Sequence, residues 1–197
     1  MLDYVKGKLE VLEPNYTVID VGGWGVSLSI SLYTYKKIKV MFENEVKLYS
    51  KLVLKEDAIE LYGFYDKIER EAFLLLNKVP GVGPKVALSV LSLFNVGQIK
   101  TSILNEDIKA LTAVPGIGKK TAQKIILELK DRIRDLPIDI AVVDNQNMII
   151  EAKEVLETLG FKGSEIHYVL DDCYKNLKHS DISVEEIVKQ ALKRLSK

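Results

Sequence analysis

A stretch of ten residues that occurs twice constrains this chain more than anything else in it. Lys78-Val-Pro-Gly-Val-Gly-Pro-Lys-Val-Ala87 returns as Ala113-Val-Pro-Gly-Ile-Gly-Lys-Lys-Thr-Ala122. Pro80, Gly81, Gly83, Lys85 and Ala87 recur as Pro115, Gly116, Gly118, Lys120 and Ala122, each 35 positions on. Such repetition marks a duplicated supersecondary unit. Each copy follows a segment of helical character (Glu69–Asn77, Asn105–Thr112) and precedes another (Lys85–Phe94, Lys119–Arg134). Each therefore reads as helix, tight glycine turn, helix.

The physics of such a turn points at phosphate. Glycine tolerates positive φ and lets another backbone approach closely. The turn also presents the unpaired N–H groups of the next helix at one spot, with the positive end of the helix dipole behind them. Lys85, Lys119 and Lys120 add side-chain charge there. Donors of this kind, drawn from the backbone around Gly81, Val82, Gly83, Gly116, Ile117 and Gly118, hold a sugar-phosphate chain without reading bases. The bland alternative is a pair of helix hairpins whose glycines only permit close packing. Nucleotide motifs do not fit. A P-loop needs Gly where Ala113 stands, and Ser or Thr directly after Lys119. Gly81-Val-Gly-Pro-Lys-Val86 lacks the third glycine of a dinucleotide fingerprint and follows a helix.

The chain has 197 residues and a formal net charge of zero, which does not advertise a DNA binder. The charge is unevenly distributed. Residues 1–64 hold 8 Lys/Arg against 9 Asp/Glu, residues 65–135 hold 12 against 8, and residues 136–197 hold 8 against 11. The positive balance falls where the repeated turns are. No apolar run approaches the roughly 20 residues of a membrane span, and Asp3, Lys6, Lys8 and Glu10 interrupt any signal peptide. The single cysteine, Cys173, reads as core and fits a reducing cytoplasm. His167 and His179 have no metal-ligand spacing, so neither metal nor cofactor is expected.

Residues 1–64 read as β-structure. Tyr16–Val21 and Val26–Ser31 alternate and flank Gly22-Gly-Trp-Gly25, a hairpin turn. Leu32–Ile38 reads as a short helix, and Glu45–Leu54 with Ala58–Phe64 as a second hairpin. Five or so strands with a helix between the third and fourth predict a small OB-type barrel. Trp24 is either a stacking platform for a base or a rim residue packed on a neighbour. The second hairpin carries Glu56 and Asp57 at its tip. Two acids there are ordinarily solvated turn formers. Beside a phosphate-holding surface, they would instead exclude DNA strands from one place.

Val96–Asn105 reads as a connector between the repeats, and Leu136-Pro137 as the end of the last helix. Residues 136–147 read as a linker, although Ile138–Val143 is apolar enough to pack or to form a strand. Ile149, Ala152, Leu156 and Leu159 then share a helical face before Gly160, a C-cap. Ser164 caps a second helix bearing Ile166, Val169, Leu170, Cys173 and Leu177. Ser183-Val-Glu-Glu186 opens a third as a capping box. The expected architecture is α+β and multidomain. It comprises an OB-type barrel (1–64), an all-α tandem helix-hairpin-helix domain (65–135), a linker (136–147) and a three-helix mini-domain (148–197) suited to a protein partner.

Taken end to end, the chain resembles the RuvA family of bacterial Holliday-junction recognition subunits. The likeness rests on Lys55-Glu-Asp-Ala58 with Leu61-Tyr-Gly-Phe64, on Gly81-Val-Gly-Pro-Lys85, and on Pro115-Gly-Ile-Gly-Lys-Lys-Thr121. It implies a homotetramer, or an octamer of two tetramers around DNA, gripping the phosphates of an open four-way junction. Glu56 and Asp57 match that family's acidic pin. The resemblance also implies a C-terminal domain engaging the hexameric ATPase RuvB, the nuclease RuvC as a further partner, and no catalysis by this chain. Two other readings compete. One is a helix-hairpin-helix lyase or glycosylase using Asp131 or Asp135, and the other is a generic duplex-binding repair adaptor.

Overall fold

The computed structural model describes residues 2–136, 151–153, 155–161, 166, 169–170 and 183–195. The chain divides into two compact units, Met1–Ile138 and Asp139–Lys197.

The first unit begins with β1 (Tyr4–Glu13), β2 (Tyr16–Asp20), β3 (Gly25–Ile30), α1 (Leu32–Ile38), a 3-10 turn (Lys39–Met41), β4 (Glu45–Leu54) and β5 (Ile59–Phe64). The strands close into a barrel in the order β1-β2-β3-β5-β4, with β4 returning to β1. All pairings are antiparallel except the short β3–β5 contact, which joins Ser29 to Tyr62 and Ile30 to Gly63. This is the OB-type barrel expected, with its helix between β3 and β4. Alternation along the strands sends Val5, Leu9, Ile19, Leu28, Ile30, Val46 and Leu48 inward, and Ile38 of α1 joins the same core.

The helical part follows as α2 (Lys67–Leu76), α3 (Pro84–Leu93), α4 (Val96–Leu104), α5 (Ile108–Thr112) and α6 (Lys119–Leu129). The hairpins are α2–α3 and α5–α6. Between them the expected connector is a helix, α4. Asn95 accepts from the N–H of Gln98, and the Gln98 side chain accepts from the N–H of Asn95, a reciprocal capping box that starts it. The second hairpin starts at Asp107, not Asn105, because the Asp107 carboxylate accepts from Ala110 N–H while Glu106 sits at φ 56°. α6 ends at Leu129, short of Arg134, although Ile133 and Leu136 remain buried. Lys100 of α4 secures this exit by donating to the carbonyls of Arg134 (3.1 Å) and Leu136 (2.9 Å). Leu136 is therefore packed, and the rest of the stretch read as a linker lies outside the described residues. No single helix among the described residues is long and apolar enough to cross a membrane. The apolar pair α3 and α4 bends by 99°.

Among the contacts that join barrel and helices, two around α2 are fully buried. Phe73, fully buried, packs its ring on Tyr62 (5.1 Å between centroids) and Phe64 (4.9 Å) of β5. Four residues before it, Glu69 is also fully buried. Its carboxylate accepts from Ser31 Oγ, from Thr34 Oγ1 at 2.6 Å and from Tyr65 N–H at 2.9 Å. One side chain thus ties the start of α1, the end of β5 and the first turn of α2.

In the second unit, residues 151–153 and 155–158 are helical. Gly160 at φ 92° closes that helix in a Schellman motif, with Phe161 N–H on Leu156 O and Gly160 N–H on Glu157 O. α7 (Val184–Leu195) begins after Ser183, which accepts from Glu186 N–H at 3.4 Å. Ala152, Leu156, Ile166, Leu170, Ile187 and Ala191 form a small core. Leu159, expected on the buried face, is 57% exposed because it lies in the turn that ends the helix. Ile149, Ser164, His167, Cys173, Leu177 and His179 lie outside the described residues.

Burial pushes the Glu69 carboxyl up to about 7, against the hydrogen bonds from Ser31, Thr34 and Tyr65, which act in the opposite direction. The folded state therefore holds this proton more tightly than the unfolded chain does. Stability from this group is fully present below the unfolded value near 4.5 and is lost as pH rises through 7. The slope is at most about 1.4 kcal/mol per pH unit across that window. In urea denaturation, the stability advantage of wild type over Glu69→Gln should be larger at pH 5 than at pH 8. An advantage independent of pH would show that Glu69 is ionised in the fold throughout.

Candidate nucleic-acid interface

The two repeated turns adopt the same structure. Gly81 and Gly116 stand at φ 93° and 89°, a left-handed conformation that favours glycine. Val82 N–H donates to Val79 O at 2.9 Å, and Ile117 N–H to Val114 O at 3.0 Å. Val79, Val82, Val114 and Ile117 are all buried. Each turn is thus anchored by an apolar pair flanking its Pro-Gly. Val82 and Ile117 contribute these anchors. Their N–H groups are already spent, so they serve the site without donating to a ligand.

Gly83 and Gly118 are different. They are the N-caps of α3 and α6, at φ −78° and −86° with extended ψ, a conformation open to any residue. A Cβ at either would meet nothing within 4 Å. Neither backbone strain nor packing within this chain calls for glycine, so the close-packing explanation fails at both. α1, α2, α4 and α5 are each capped by a side chain, from Ser31, Asp66, Asn95 and Asp107. α3 and α6 have no such cap. Pro84 opens α3 without an N–H, and the N–H groups of Lys85, Val86, Lys119, Lys120 and Thr121 donate to no acceptor among the described residues. Lys85, Lys119 and Lys120 are exposed beside them and form no ion pair among the described residues. Unsatisfied donors, a positive dipole end and free ammonium groups together make an anion site.

The turns are neighbours. A methyl group on Gly116 would stand 3.3 Å from Cγ2 of Val86, in the first turn of α3. That first turn also lines an open cleft of about 640 Å³, where Lys85, Leu88, Ser89 and Ser92 face Ile59, Glu60 and Tyr62 of β5. The stem of the β4–β5 hairpin and both glycine turns thus follow one another across the unit. Lys124, exposed and four residues after Lys120 on α6, extends the positive face. Its i+4 spacing from Lys120 is the sequence signal that marks it.

Glu56 and Asp57 form the two-residue tip of that hairpin, closed by Lys55 N–H on Ala58 O at 2.8 Å. Both are exposed, and neither carboxylate has a hydrogen bond or ion pair among the described residues. Asp20, beside the β2–β3 turn, shows what a turn-forming acid does, accepting from Gly23 N–H at 2.7 Å. The tip acids perform no such local task. Trp24, at the tip of the β2–β3 hairpin, is 78% exposed. Asp131, considered for lyase chemistry, is exposed and lies 3.6 Å from Arg134. Among the described residues, no group of three or more His, Cys, Asp or Glu is placed to hold a metal.

The sequence compares with known proteins along its whole length. Residues 1–63 match the family described as RuvA N terminal domain, 73–131 the SAM-like Helix-hairpin-helix tandem, and 151–196 the RuvA C-terminal domain. The Holliday junction branch migration complex subunit RuvA of Caldanaerobacter subterraneus subsp. tengcongensis is 41% identical over 197 residues, covering all of both chains. The chain belongs to the RuvA family. The RuvA subunit of Clostridium botulinum (strain Hall) is 42% identical over 206 residues, again with full coverage of both. That of Cytophaga hutchinsonii is 39% identical over 200 residues, covering 98% of this chain and 99% of its own. A generic duplex-binding adaptor is not favoured by these RuvA matches.

The two kinds of turn glycine respond oppositely to substitution. Gly81→Ala forces an L-residue into left-handed backbone and should cost about 1 kcal/mol in thermal or urea unfolding. Gly118→Asp supplies the missing cap in a backbone already suited to it and should stabilise by a few tenths of a kcal/mol. Equal losses in both would show that Gly118 is a structural glycine after all.

Proposed function

We propose that this RuvA-family chain binds four-way DNA junctions by shape, without regard to base sequence, and holds them open for branch migration in recombination and repair. One observation carries the reading. The glycines capping α3 and α6 are required by neither backbone nor packing, and they leave two helix starts uncapped beside free lysines. Such sites take phosphate from any sequence. The unpartnered carboxylates of Glu56 and Asp57 add a negative point that penalises DNA crowding the hairpin tip. A junction with an open centre escapes the penalty that continuous duplex meets. The relatives' printed name, Holliday junction branch migration complex subunit, supports the same reading.

The contacts we assign are Gly81, Gly83, Lys85, Gly116, Gly118, Lys119 and Lys120 to phosphates, with Val82 and Ile117 as anchors, and Glu56 and Asp57 as the pin. Four equivalent arms are matched by a cyclic homotetramer, and two tetramers enclose the junction as an octamer. The chain itself is non-catalytic. It works in the cytoplasm, where residues 148–197 recruit the ATPase RuvB as motor and RuvC acts as a further partner on the same junction. Residues 136–197 hold 8 Lys/Arg against 11 Asp/Glu, a balance that suits protein better than DNA.

A competition gel shift tests the function. A labelled immobile junction meets excess linear duplex of the same sequence at one stated salt concentration, and retention of the junction is expected. Equal competition would return the chain to the generic duplex binders. Gly118→Asp should weaken junction binding at least tenfold while the protein remains folded, since the new carboxylate takes the donors and adds like charge. Glu56→Gln with Asp57→Asn should keep or tighten junction binding and reduce discrimination against duplex by about ten- to thirtyfold. That range follows from about 1 kcal/mol per charge at contact distance in water. Unchanged discrimination would make the pair ordinary turn residues.

A further inference from the structure

The tip sequence Lys55-Glu56-Asp57-Ala58 contains a cation as well as two anions. An ammonium group at the tip would attract phosphate and cancel half of the repulsion assigned to the acids. The structure turns it away. Lys55 Nζ lies 2.6 Å from Oε1 of Glu60, back along the stem of the hairpin. The other oxygen of Glu60, Oε2, accepts from Tyr62 Oη at 2.7 Å, and the Tyr62 ring is buried against Phe73. The carboxylate that holds Lys55 is therefore itself fixed by a side chain rooted in the core. The register fits this arrangement. Val53 pairs with Glu60 and Leu54 with Ile59, so Lys55 and Glu60 stand as a diagonal pair on one face of the hairpin.

We propose that Glu60 is a specificity-determining positioning residue. It withholds the Lys55 ammonium from DNA so that Glu56 and Asp57 act as an undiluted double negative charge. This rests on the pin reading above. Hydrogen bonds from Lys55 and then Tyr62, with the charges of Lys55 and Lys85 also favouring ionisation, hold the Glu60 carboxyl below the usual carboxylate range. Exposed ion pairs are individually weak. The Tyr62 bond matters for that reason, since it orders one partner before the pair forms. Lys85, on the far side of the cleft, is the other cation that feels Glu60, and the test must separate the two.

The test measures junction and duplex affinities of the full-length protein across a salt series. Glu60→Gln keeps the shape and the acceptor for Tyr62 but releases Lys55. Discrimination between junction and duplex should fall about threefold, and the salt slope of duplex binding should steepen by about one. Lys55→Gln added to Glu60→Gln should restore discrimination, whereas Lys55→Gln alone should change it less. Tighter binding of both DNAs with discrimination intact, or no restoration by Lys55→Gln, would place the effect of Glu60 at Lys85 and overturn the proposal. Glu56→Gln with Asp57→Asn, run in parallel, separates the two levels. If that pair alters discrimination and Glu60→Gln does not, the pin stands and the role of Glu60 falls. If neither does, both fall.

Discussion

The geometry of the interface depends on the joint between β5 and α2. Glu56 and Asp57 project from the β4–β5 hairpin, while the first glycine turn lies at the far end of α2. Any play between barrel and helix would leave the acidic tip and the glycine turns unrelated in space. Two buried contacts of different character do most to remove that play. The Tyr62–Phe64–Phe73 cluster gives apolar burial, which resists separation but tolerates sliding. The Glu69 carboxylate gives direction, since Ser31, Thr34 and Tyr65 all converge on one side chain. Burying a carboxyl is expensive, as its raised proton affinity shows. A buried apolar residue would be less costly but would not specify the angle. Orientation, more than raw stability, is what this group contributes.

Much of this was legible in the sequence, for identifiable reasons. The turns were readable because a left-handed glycine and its flanking valines leave a local signature, and the duplication showed it twice. β2, β3 and β4 were readable from alternation, and the acidic tip from its position between two strands. The failures cluster where a local cue was outweighed or non-local. α4 reads in sequence as a connector although Asn95 and Gln98 spell its cap. The start of α5 depends on Glu106 adopting a left-handed conformation, which no side-chain pattern announces. Glu69 looks in sequence like any acid in the first turn of a helix, and its burial follows from where α1 lands. Lys100 likewise reads as a surface cation until the chain exit from α6 covers it. The distinct roles of Gly81 and Gly83 are not visible from residue type at all. Only φ separates them.

The site also shows where local stability has been left unclaimed. Four helices of the first unit carry good side-chain caps, and the two that follow the repeated turns carry glycine. An Asp at either position would satisfy the orphan donors from within. On the proposed reading, leaving them open keeps the donors for a phosphate. The same contrast holds among the turn acids, where Asp20 satisfies its own turn while Glu56 and Asp57 form no hydrogen bond or ion pair among the described residues. Unsatisfied groups of opposite sign, presented by one compact unit, are the common element.

Net charge completes the physical picture. A strongly basic chain would bind duplex wherever it met it, and a genome offers about 10⁶–10⁹ such competing sites. Here the charges sum to zero, with the excess of cations confined to the residues that carry the turns. Attraction built from a few lysines and backbone donors is modest and short-ranged, since screening limits it to about 10 Å at ordinary salt. Against so modest an attraction, two carboxylates worth about 1 kcal/mol each at contact weigh heavily in the balance. The same two charges on a highly basic surface would be negligible. On the proposed reading, discrimination by shape requires weak attraction as much as local repulsion, and a chain of zero net charge meets that requirement.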